Sequence, residues 1–271
     1  MIQAIRDLVE YRELFMAFVM RDLRVRYKQT ALGVVWVVLQ PLITGVVFAA
    51  IFGLIRGQFS GADALLFFMA GLVPWTSFQK GVQTAAMSLE QNANLVAKVY
   101  FPRMTVPSAY VIASMVDFLF AFITLVAIAV LAGAFDWRLV ALAPMLMLIQ
   151  MVAGLGMGLL TAPLNAQYRD VKYIIPFVLQ LGMFLTVWIP LEQWRQGEVG
   201  FGAEIAWIEP YIYQILSLNP MAAVVETFRA VLQGSALNWV LIGKGAGVAA
   251  VLLIVGVRFF TSRERRLVDI L

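Results

Sequence analysis

The sequence predicts an all-α polytopic integral membrane protein with six transmembrane helices, and three observations support this fold class. Hydrophobic residues make up 62% of the 271 residues and charged residues 13%, whereas a soluble domain carries about 25% charged residues. Apolar runs long enough for a helix to cross a bilayer recur along the chain. These runs lack the alternation of polar and apolar residues that a membrane β-barrel strand requires.

Six apolar runs define the predicted spans, because backbone groups inside lipid must be satisfied within a helix. Two runs carry one charged residue well inside them, Lys80 in the second and Asp117 in the third. These two residues are candidate partners in a buried pair, with Lys80 reaching toward headgroups or a proton relay as the alternatives. Five spans fall within residues 32–191 and the sixth follows a polar stretch: residues 32–55, 64–87, 106–135, 139–166, 173–191 and 239–260.

The distribution of Lys and Arg predicts the orientation of the chain. Basic residues concentrate before the first span, in the loops around residues 98–103 and 169–172, and in the C-terminal tail. The alternate loops hold single arginines, one of them among several glutamates. Since basic loops stay in the cytoplasm, both termini are expected to be cytoplasmic. The expected location is the inner (cytoplasmic) membrane of the cell.

Two segments are predicted to be helical without crossing the bilayer. Residues 2–19 place apolar and charged residues on opposite helix faces, which is typical of an interface helix; a passive anchor is the alternative. Residues 203–233 combine aromatic residues with Asn219-Pro220, a helix-start signal, and Gly234, a helix-stop signal. This pattern predicts two short reentrant helices on the outer side, with a surface cap as the alternative.

The chain lacks the residues that most chemistry requires. It has no Cys and no His, which removes thiol chemistry, the commonest general base and the commonest metal ligand. A phosphate-binding loop is expected to read GxxxxGK[ST], and the nearest match, at residues 238–245, lacks the first glycine and the final Ser or Thr. The sequence therefore predicts neither an enzyme nor a bound cofactor, metal or nucleic acid. An ion-coupled carrier is disfavoured because the spans hold few carboxylates.

Several blocks, in order over nearly the whole chain, resemble the membrane subunit of ATP-binding-cassette polysaccharide exporters. Within that family they are most similar to the O-antigen permeases. The blocks are residues 21–28 (RDLRVRYK), 32–33 (LG), 40–42 (QPL), 72–75 (LVPW), 92–103 (NANLVAKVYFPR), 164–173 (LNAQYRDVKY) and 218–221 (LNPM), followed by Glu226 and Arg229.

The resemblance implies a homodimer of this chain, embedded in membrane lipid, with two copies of a separate ATPase that binds ATP and Mg. Its substrate would be a polysaccharide on undecaprenyl diphosphate, moved from the cytoplasmic to the outer side of the membrane. Capsular polysaccharide and teichoic acid permeases are related alternatives, and a small-molecule exporter of the same fold is a weaker one.

The resemblance also implies roles for individual residues. One set of residues would couple the chain to the ATPase; alternatively, these residues form a basic loop that rests on lipid headgroups. A second set would form the entrance for the lipid diphosphate; alternatively, its basic residues serve only to orient the chain in the membrane. Aromatic packing is the alternative for the channel lining. The coupling set is Asn92, Asn94, Leu95, Lys98, Val99, Tyr100, Phe101, Arg103, Tyr168, Arg169 and Asp170; the entrance is Arg21, Arg24, Arg26 and Lys28; the channel lining is Trp36, Phe48, Phe52, Tyr173, Phe177, Phe184 and Trp188; the outer gate is Trp207, Tyr211, Asn219, Pro220, Glu226 and Arg229.

Overall fold

A computed structural model describes residues 10–28, 33, 35–56, 61–98, 101–168, 170–188, 190–192 and 209–270. All regular secondary structure within these ranges is helical, which confirms the predicted all-α class. The helices are α1 (Arg12–Lys28), α2 (Val35–Arg56), α3 (Ala62–Gln91), α4 (Ala93–Lys98), α5 (Thr105–Leu131), α6 (Trp137–Gln167), α7 (Val171–Met183) with a π-helical turn (Phe184–Trp188), α8 (Glu209–Ser217), α9 (Pro220–Leu232) and α10 (Trp239–Ile270).

Each of the six predicted spans contains a helix, but these helices differ in how well they suit a bilayer. Among the described residues, four helical segments are both long and apolar enough to cross it: Thr105–Leu131, Trp137–Gln167, Val171–Trp188 and Trp239–Glu264. The apolar part of α2, Val35–Ile51, is shorter. The 30-residue α3 is long enough, but glutamines and a lysine lower its mean hydropathy. These four segments support an integral membrane protein.

Helix α3 lies at the centre of the bundle, and this position explains why its sequence is more polar than that of a lipid-facing span. It packs against α2, α5, α6, α7 and α9. Met69, Ala70, Val73 and Val82 are fully buried in the core that it forms with these helices. Because protein rather than lipid surrounds α3, its polar side chains can face an internal cavity.

The backbones of helices α6 and α10 are in close contact where Gly156 faces Gly256. A Cβ added to Gly256 would lie 2.5 Å from the carbonyl oxygen of Gly156, and one added to Gly156 would lie 2.6 Å from the Leu252 backbone. Such contacts are possible only where both residues are small. Gly156 belongs to a run of three glycines spaced two residues apart at residues 154–158, and in this crossing it serves packing within the chain.

The N-terminal helix is described from Arg12 and continues to Lys28, beyond the predicted end at residue 19. Phe18 and Val19 are buried, and the ring centroids of Phe18 and Phe101 are 5.9 Å apart. The helix therefore continues because tertiary packing and ion pairs hold its second half against α5. Residues 2–9 of the predicted amphipathic segment lie outside the described residues.

The two short helices predicted before the last span are present as α8 and α9. The Asn219 side chain accepts a hydrogen bond from the Met221 backbone at 3.0 Å, and Pro220 occupies the first turn of α9. Gly234 has a φ of 67° just after the helix ends, a conformation that glycine adopts without strain. Both sequence signals at the ends of α9 are confirmed.

Candidate functional site: a cavity and two charged clusters

A cavity of about 590 Å³ lies between α2, α3, α5, α7 and the π-helical turn. This volume falls in the range of roughly 300–1,000 Å³ that is usual for small-ligand sites. Three aromatic side chains and many polar ones share its lining: Phe48, Phe184, Trp188, Gln40, Thr44, Thr76, Ser77, Gln79, Lys80, Gln83, Asp117 and Gln180.

The three aromatic rings form one cluster. Trp188 lies 4.5 Å from Phe48 and 5.1 Å from Phe184 between ring centroids, and both pairs meet edge to face. Phe48 also contacts Phe68 on α3 at 5.7 Å. These contacts connect α2 to the end of α7, so the cluster forms a continuous aromatic surface on the cavity.

A charged cluster borders the cavity at Asp117 on α5. Its carboxylate accepts from Arg26 at 2.7 Å and from Lys80 at 2.8 Å, and it also accepts from the Tyr27 hydroxyl. Arg26 forms a second pair with Asp22 at 2.6 Å. Two cations therefore face two carboxylates, and helices α1, α3 and α5 are joined without net charge.

Asp22 and Tyr27, the α1 residues of this cluster, are partly removed from water, and this burial raises the pKa of both. Burial raises the pKa of the Asp22 carboxyl above its ordinary value, although the adjacent Arg26 guanidinium opposes the shift. Burial and the hydrogen bond to Asp117 raise the pKa of Tyr27. The Tyr27 hydroxyl consequently stays protonated at neutral pH and donates to the carboxylate.

A second charged cluster lies where α9 packs against α3 and the π-helical turn. Arg229 Nη1 donates to Glu226 at 2.8 Å, Nε donates to the Phe67 carbonyl at 3.4 Å, and Nη2 donates to the Val187 carbonyl. The guanidinium also stacks over the Phe67 ring at 3.9 Å. Arg229 therefore pairs with Glu226 on its own helix and also connects α9 to α3 and to the π-helical turn.

The π-helical turn is held by α9 at two adjacent residues. Arg229 binds the Val187 carbonyl, and Asn219 Nδ2 donates to Thr186 Oγ1 at 2.8 Å. A π-helical turn leaves backbone groups without their usual helical partners, and Arg229 supplies one. These contacts fix the backbone directly before Trp188, so α9 positions an aromatic residue of the cavity.

The loop between α3 and α5 is anchored to both ends of the chain. Asn92 is buried and donates to Ser88 O at 2.7 Å and to Tyr110 OH at 3.2 Å, while Arg21 donates to its side-chain oxygen. Arg103 donates from its backbone to the Glu264 carboxylate at 3.1 Å and from its guanidinium to the Glu264 carbonyl at 3.0 Å. These contacts hold the described ends of the loop to α1, α5 and α10.

Comparison with known proteins places the chain in a family. The family described as ABC-2 type transporter matches residues 13–232, most of the chain. The chain belongs to the ABC-2 type transporter family. It is 27% identical over 232 residues to the O-antigen export system permease protein RfbA of Myxococcus xanthus, covering 85% of this chain and 84% of the relative. It is 24% identical over 264 residues to the protein of the same name from Klebsiella pneumoniae, covering 96% of this chain and 95% of the relative.

Membership in the ABC-2 family implies a membrane component that works with a separate ABC ATPase subunit.

The predicted coupling residues of this ABC-2 protein differ in how exposed they are. Asn94 and Lys98 are exposed, whereas Asn92 and Phe101 are buried, with Leu95 between these extremes. Arg103 is bound to Glu264. Tyr168 and Asp170 are exposed between α6 and α7, and Val99, Tyr100 and Arg169 lie outside the described residues.

The four basic residues predicted to receive a lipid diphosphate also divide into two groups. Arg21 binds Asn92 and Arg26 binds two carboxylates, so both hold helices together. Arg24 and Lys28 are exposed on the same helix. Arg21 is exposed as well, so Arg24 and Lys28 differ from it in that no bond to another helix is seen for them among the described residues.

The aromatic residues predicted to line a channel lie in two places. Phe48, Phe184 and Trp188 line the cavity, whereas Trp36, Tyr173 and Phe177 are exposed on α2 and α7 outside its lining. The side chain of Phe52 lies outside the described residues. Of the predicted gate residues, Tyr211 is exposed on α8, and Trp207 lies outside the described residues.

The glutamines of the cavity were not identified from the sequence. Gln79 and Gln83 lie one turn apart on α3, and Gln40 and Gln180 approach from α2 and α7. The available signal was a pair of glutamines at i and i+4 inside an otherwise apolar span, since polar residues in such spans are usually functional. Tyr27 and Glu264 were also missed, because their partners are distant in sequence.

Proposed function

We propose that this chain is the transmembrane subunit of an ATP-driven exporter that moves an O-antigen-type polysaccharide out of the cytoplasm. In this proposal the glycan is carried on undecaprenyl diphosphate and passes from the cytoplasmic to the outer side of the inner membrane. The observation that carries the proposal is the likeness, over 85% and 96% of this chain, to two proteins named as O-antigen export permeases. The cavity with an aromatic cluster supports it, because sugar rings pack well on aromatic faces.

In the proposed assembly two copies of the chain pair with each other and with two copies of a cytoplasmic ATPase. The exposed apolar residues on α2 and α7 flank the cavity, and they support a second copy completing a channel there: Trp36, Val47, Tyr173, Phe177 and Leu181. ATP and Mg would bind the ATPase alone. Six spans, both termini in the cytoplasm, and α8 and α9 as a reentrant outer gate complete the arrangement.

The coupling surface in this proposal is the loop that contains α4. Its ends are fixed by Asn92 and Arg103, while Lys98 points outward from α4. A loop anchored at both ends, with an exposed cation between them, suits transmission of force from an ATPase to α3 and α5. The exposed Asn94, Tyr168 and Asp170 would contribute to the same contact.

The proposal is tested by purifying the tagged chain together with the ATPase encoded beside it and measuring stoichiometry and ATP hydrolysis. We expect an ATPase at equal stoichiometry, and we expect Lys98→Glu to weaken the pairing strongly. Asp63→Lys is the matched control, because Asp63 is exposed at the opposite end of α3. A chain that purifies alone and acts without ATP would contradict the proposal.

The nature of the cargo is tested separately in the producing cells. Deleting the gene should remove a surface glycan while its lipid-linked form accumulates inside, and the sugar composition of that glycan distinguishes O-antigen from capsule or teichoic acid. Stimulation of the ATPase by small hydrophobic compounds, with surface glycan unchanged by the deletion, would instead favour a small-molecule exporter of the same fold.

A further inference from the structure

Toward its C-terminal end, α10 holds two different loops with two adjacent residues. Arg263 Nη1 donates to Gln167 Oε1 at 2.7 Å, at the last residue of α6. The Glu264 carboxylate accepts from the Arg103 backbone at 3.1 Å, just before α5 begins. The Arg103 guanidinium also donates to the Glu264 carbonyl at 3.0 Å. This part of α10 therefore fixes the start of the α6–α7 loop and the end of the α3–α5 loop.

Apolar packing supports these polar contacts from below. Phe260, one turn before Glu264, is fully buried. It belongs to a cluster of buried side chains that also contains Phe101 of the α3–α5 loop and Leu159 of α6. Helix α10 is thus already seated against both elements, so Arg263 and Glu264 bind the two loops from a fixed position.

A further contact joins the helix ends directly. Asn165 is buried near the end of α6 and donates from Nδ2 to the Glu90 carboxylate at 3.2 Å. Glu90 lies at the end of α3, where the α3–α5 loop begins. The ends of α3 and α6 and the start of α5 are therefore linked, and α10 provides the link between α6 and α5.

Beside their anchored residues, the two loops present exposed side chains. Asn94 and Lys98 are exposed on α4, and Tyr168 and Asp170 are exposed shortly after Gln167. In the proposed function these exposed residues contact the ATPase. A partner that binds both loops at once requires a defined spacing between them. A loop that occupies its docking position only part of the time lowers the apparent affinity by that fraction.

We propose that the end of α10 is a positioning element for the ATPase interface, in which Arg263 and Glu264 hold both loops in the arrangement that the ATPase binds. This inference rests on the proposed function, in which these loops contact the ATPase. It adds two residues of the C-terminal helix that act on the interface through Gln167 and Arg103. Their contribution is to order the loops before the ATPase binds, which lowers the entropic cost of association.

The first test measures the affinity of the neighbouring-gene ATPase for the full chain in lipid nanodiscs. Arg263→Ala and Glu264→Ala should each weaken binding about tenfold, because each removes a charge-assisted hydrogen bond that orders a loop. Glu264→Gln should keep most of the affinity, since its amide oxygen still accepts from the Arg103 backbone. Ser262→Ala is the matched control, because the exposed Ser262 hydroxyl donates to Phe259 of the same helix at 2.7 Å, and it should leave the affinity unchanged.

A double substitution separates an indirect role from direct contact with the ATPase. Gln167→Ala should weaken binding about as much as Arg263→Ala, and the double variant should be no weaker than either single one, because both changes remove the same contact. If Arg263 touched the ATPase itself, the two losses would multiply. The unfolding temperature of the chain without ATPase should change little in every variant, because Arg263 and Glu264 are only partly buried.

The possible outcomes separate the inference from the proposed function. The inference is overturned while the ATPase partnership stands if Arg263→Ala and Glu264→Ala bind normally, if Glu264→Gln is as weak as Glu264→Ala, or if the losses of Arg263→Ala and Gln167→Ala multiply. A loss of affinity that only follows general unfolding of the variants also overturns it. If the unsubstituted chain binds no ATPase, the proposed function fails and the inference fails with it.

Discussion

Two charged clusters hold this helical bundle together, and they use similar residues for different ends. Arg229 is 2% exposed, and each of its guanidinium nitrogens is bound by protein: by Glu226, by the Phe67 carbonyl and by the Val187 carbonyl. In the other cluster the Lys80 side chain is 41% exposed beside the cavity although it pairs with Asp117. The protein surrounds the first cluster on all sides, whereas the second borders the cavity.

The difference shows what a charge inside a membrane protein contributes in each setting. A buried ion pair adds little to the net stability of the folded protein, but removing one partner is strongly destabilising because it leaves an uncompensated buried charge. A pair open to a cavity keeps part of its hydration and is worth less. The closed cluster is therefore expected to be critical for folding, and the open cluster for the polarity of the cavity.

The largest effect is expected from Arg229→Met. The substitution leaves Glu226 buried without its cation and frees two backbone carbonyls, so destabilisation of about 3–5 kcal/mol is expected. Thermal unfolding in detergent and the yield of folded protein measure it. Arg258→Met, which removes an exposed arginine from α10, is the control. Adding Glu226→Gln should recover part of the loss, and no recovery would argue against a closed pair.

A smaller loss of stability is expected from Asp117→Asn. Arg26 and Lys80 lose their shared carboxylate, but Arg26 keeps Asp22 and Lys80 keeps access to the cavity. We expect about 1–3 kcal/mol of destabilisation, measured by the same unfolding assay. A loss equal to that of Arg229→Met would show that the two clusters are alike and would break the comparison.

Asn219→Ala should destabilise the closed end by about 1 kcal/mol, the usual effect of losing a helix cap. The residue caps α9 and also binds Thr186 in the π-helical turn, so the fluorescence of the nearby Trp188 should change as well. Each of the other tryptophans is replaced by Phe for this measurement. Thr124→Ala, in which an exposed threonine is bonded only to its own helix, should change neither quantity.

The smallest effect on stability is expected from Lys80→Met. Because the pair is partly exposed, its loss should change the free energy of unfolding by at most about 1 kcal/mol. Asp22 and Asp117 would then face Arg26 alone, which leaves one net negative charge beside the cavity. We therefore expect a clear fall in export of the polymer with little change in the free energy of unfolding. Surface glycan and the unfolding temperature, measured on the same variant, test whether these two properties separate.

The sequence predicted those parts of the molecule that depend on local pattern. The all-α class, the positions of the long helices, the Asn219 cap and the Gly234 stop all follow from runs or pairs of neighbouring residues. The Glu226–Arg229 pair was predictable for the same reason, because three residues separate its members on one helix. The likeness to polysaccharide permeases also came from blocks of adjacent residues.

The sequence could not reveal contacts made across the fold. Arg26 belongs to the predicted lipid-diphosphate entrance, and nothing in the sequence showed that it binds Asp117, which is 91 residues distant. Arg103 was expected to meet an ATPase, and Glu264 binds it. Phe177 and Phe184 both lie in the apolar run of the fifth predicted span, so periodicity did not show that Phe184 lines the cavity and Phe177 does not.

The most direct test of the account compares the glycans of cells with and without this chain. In a deletion strain, polysaccharide labelled with radioactive sugar should accumulate on its lipid carrier inside the cell and be absent from the surface. Wild-type chain should restore export only when an active ATPase is present. Normal surface glycan in the deletion strain, or export restored with an ATPase unable to hydrolyse ATP, would contradict the account.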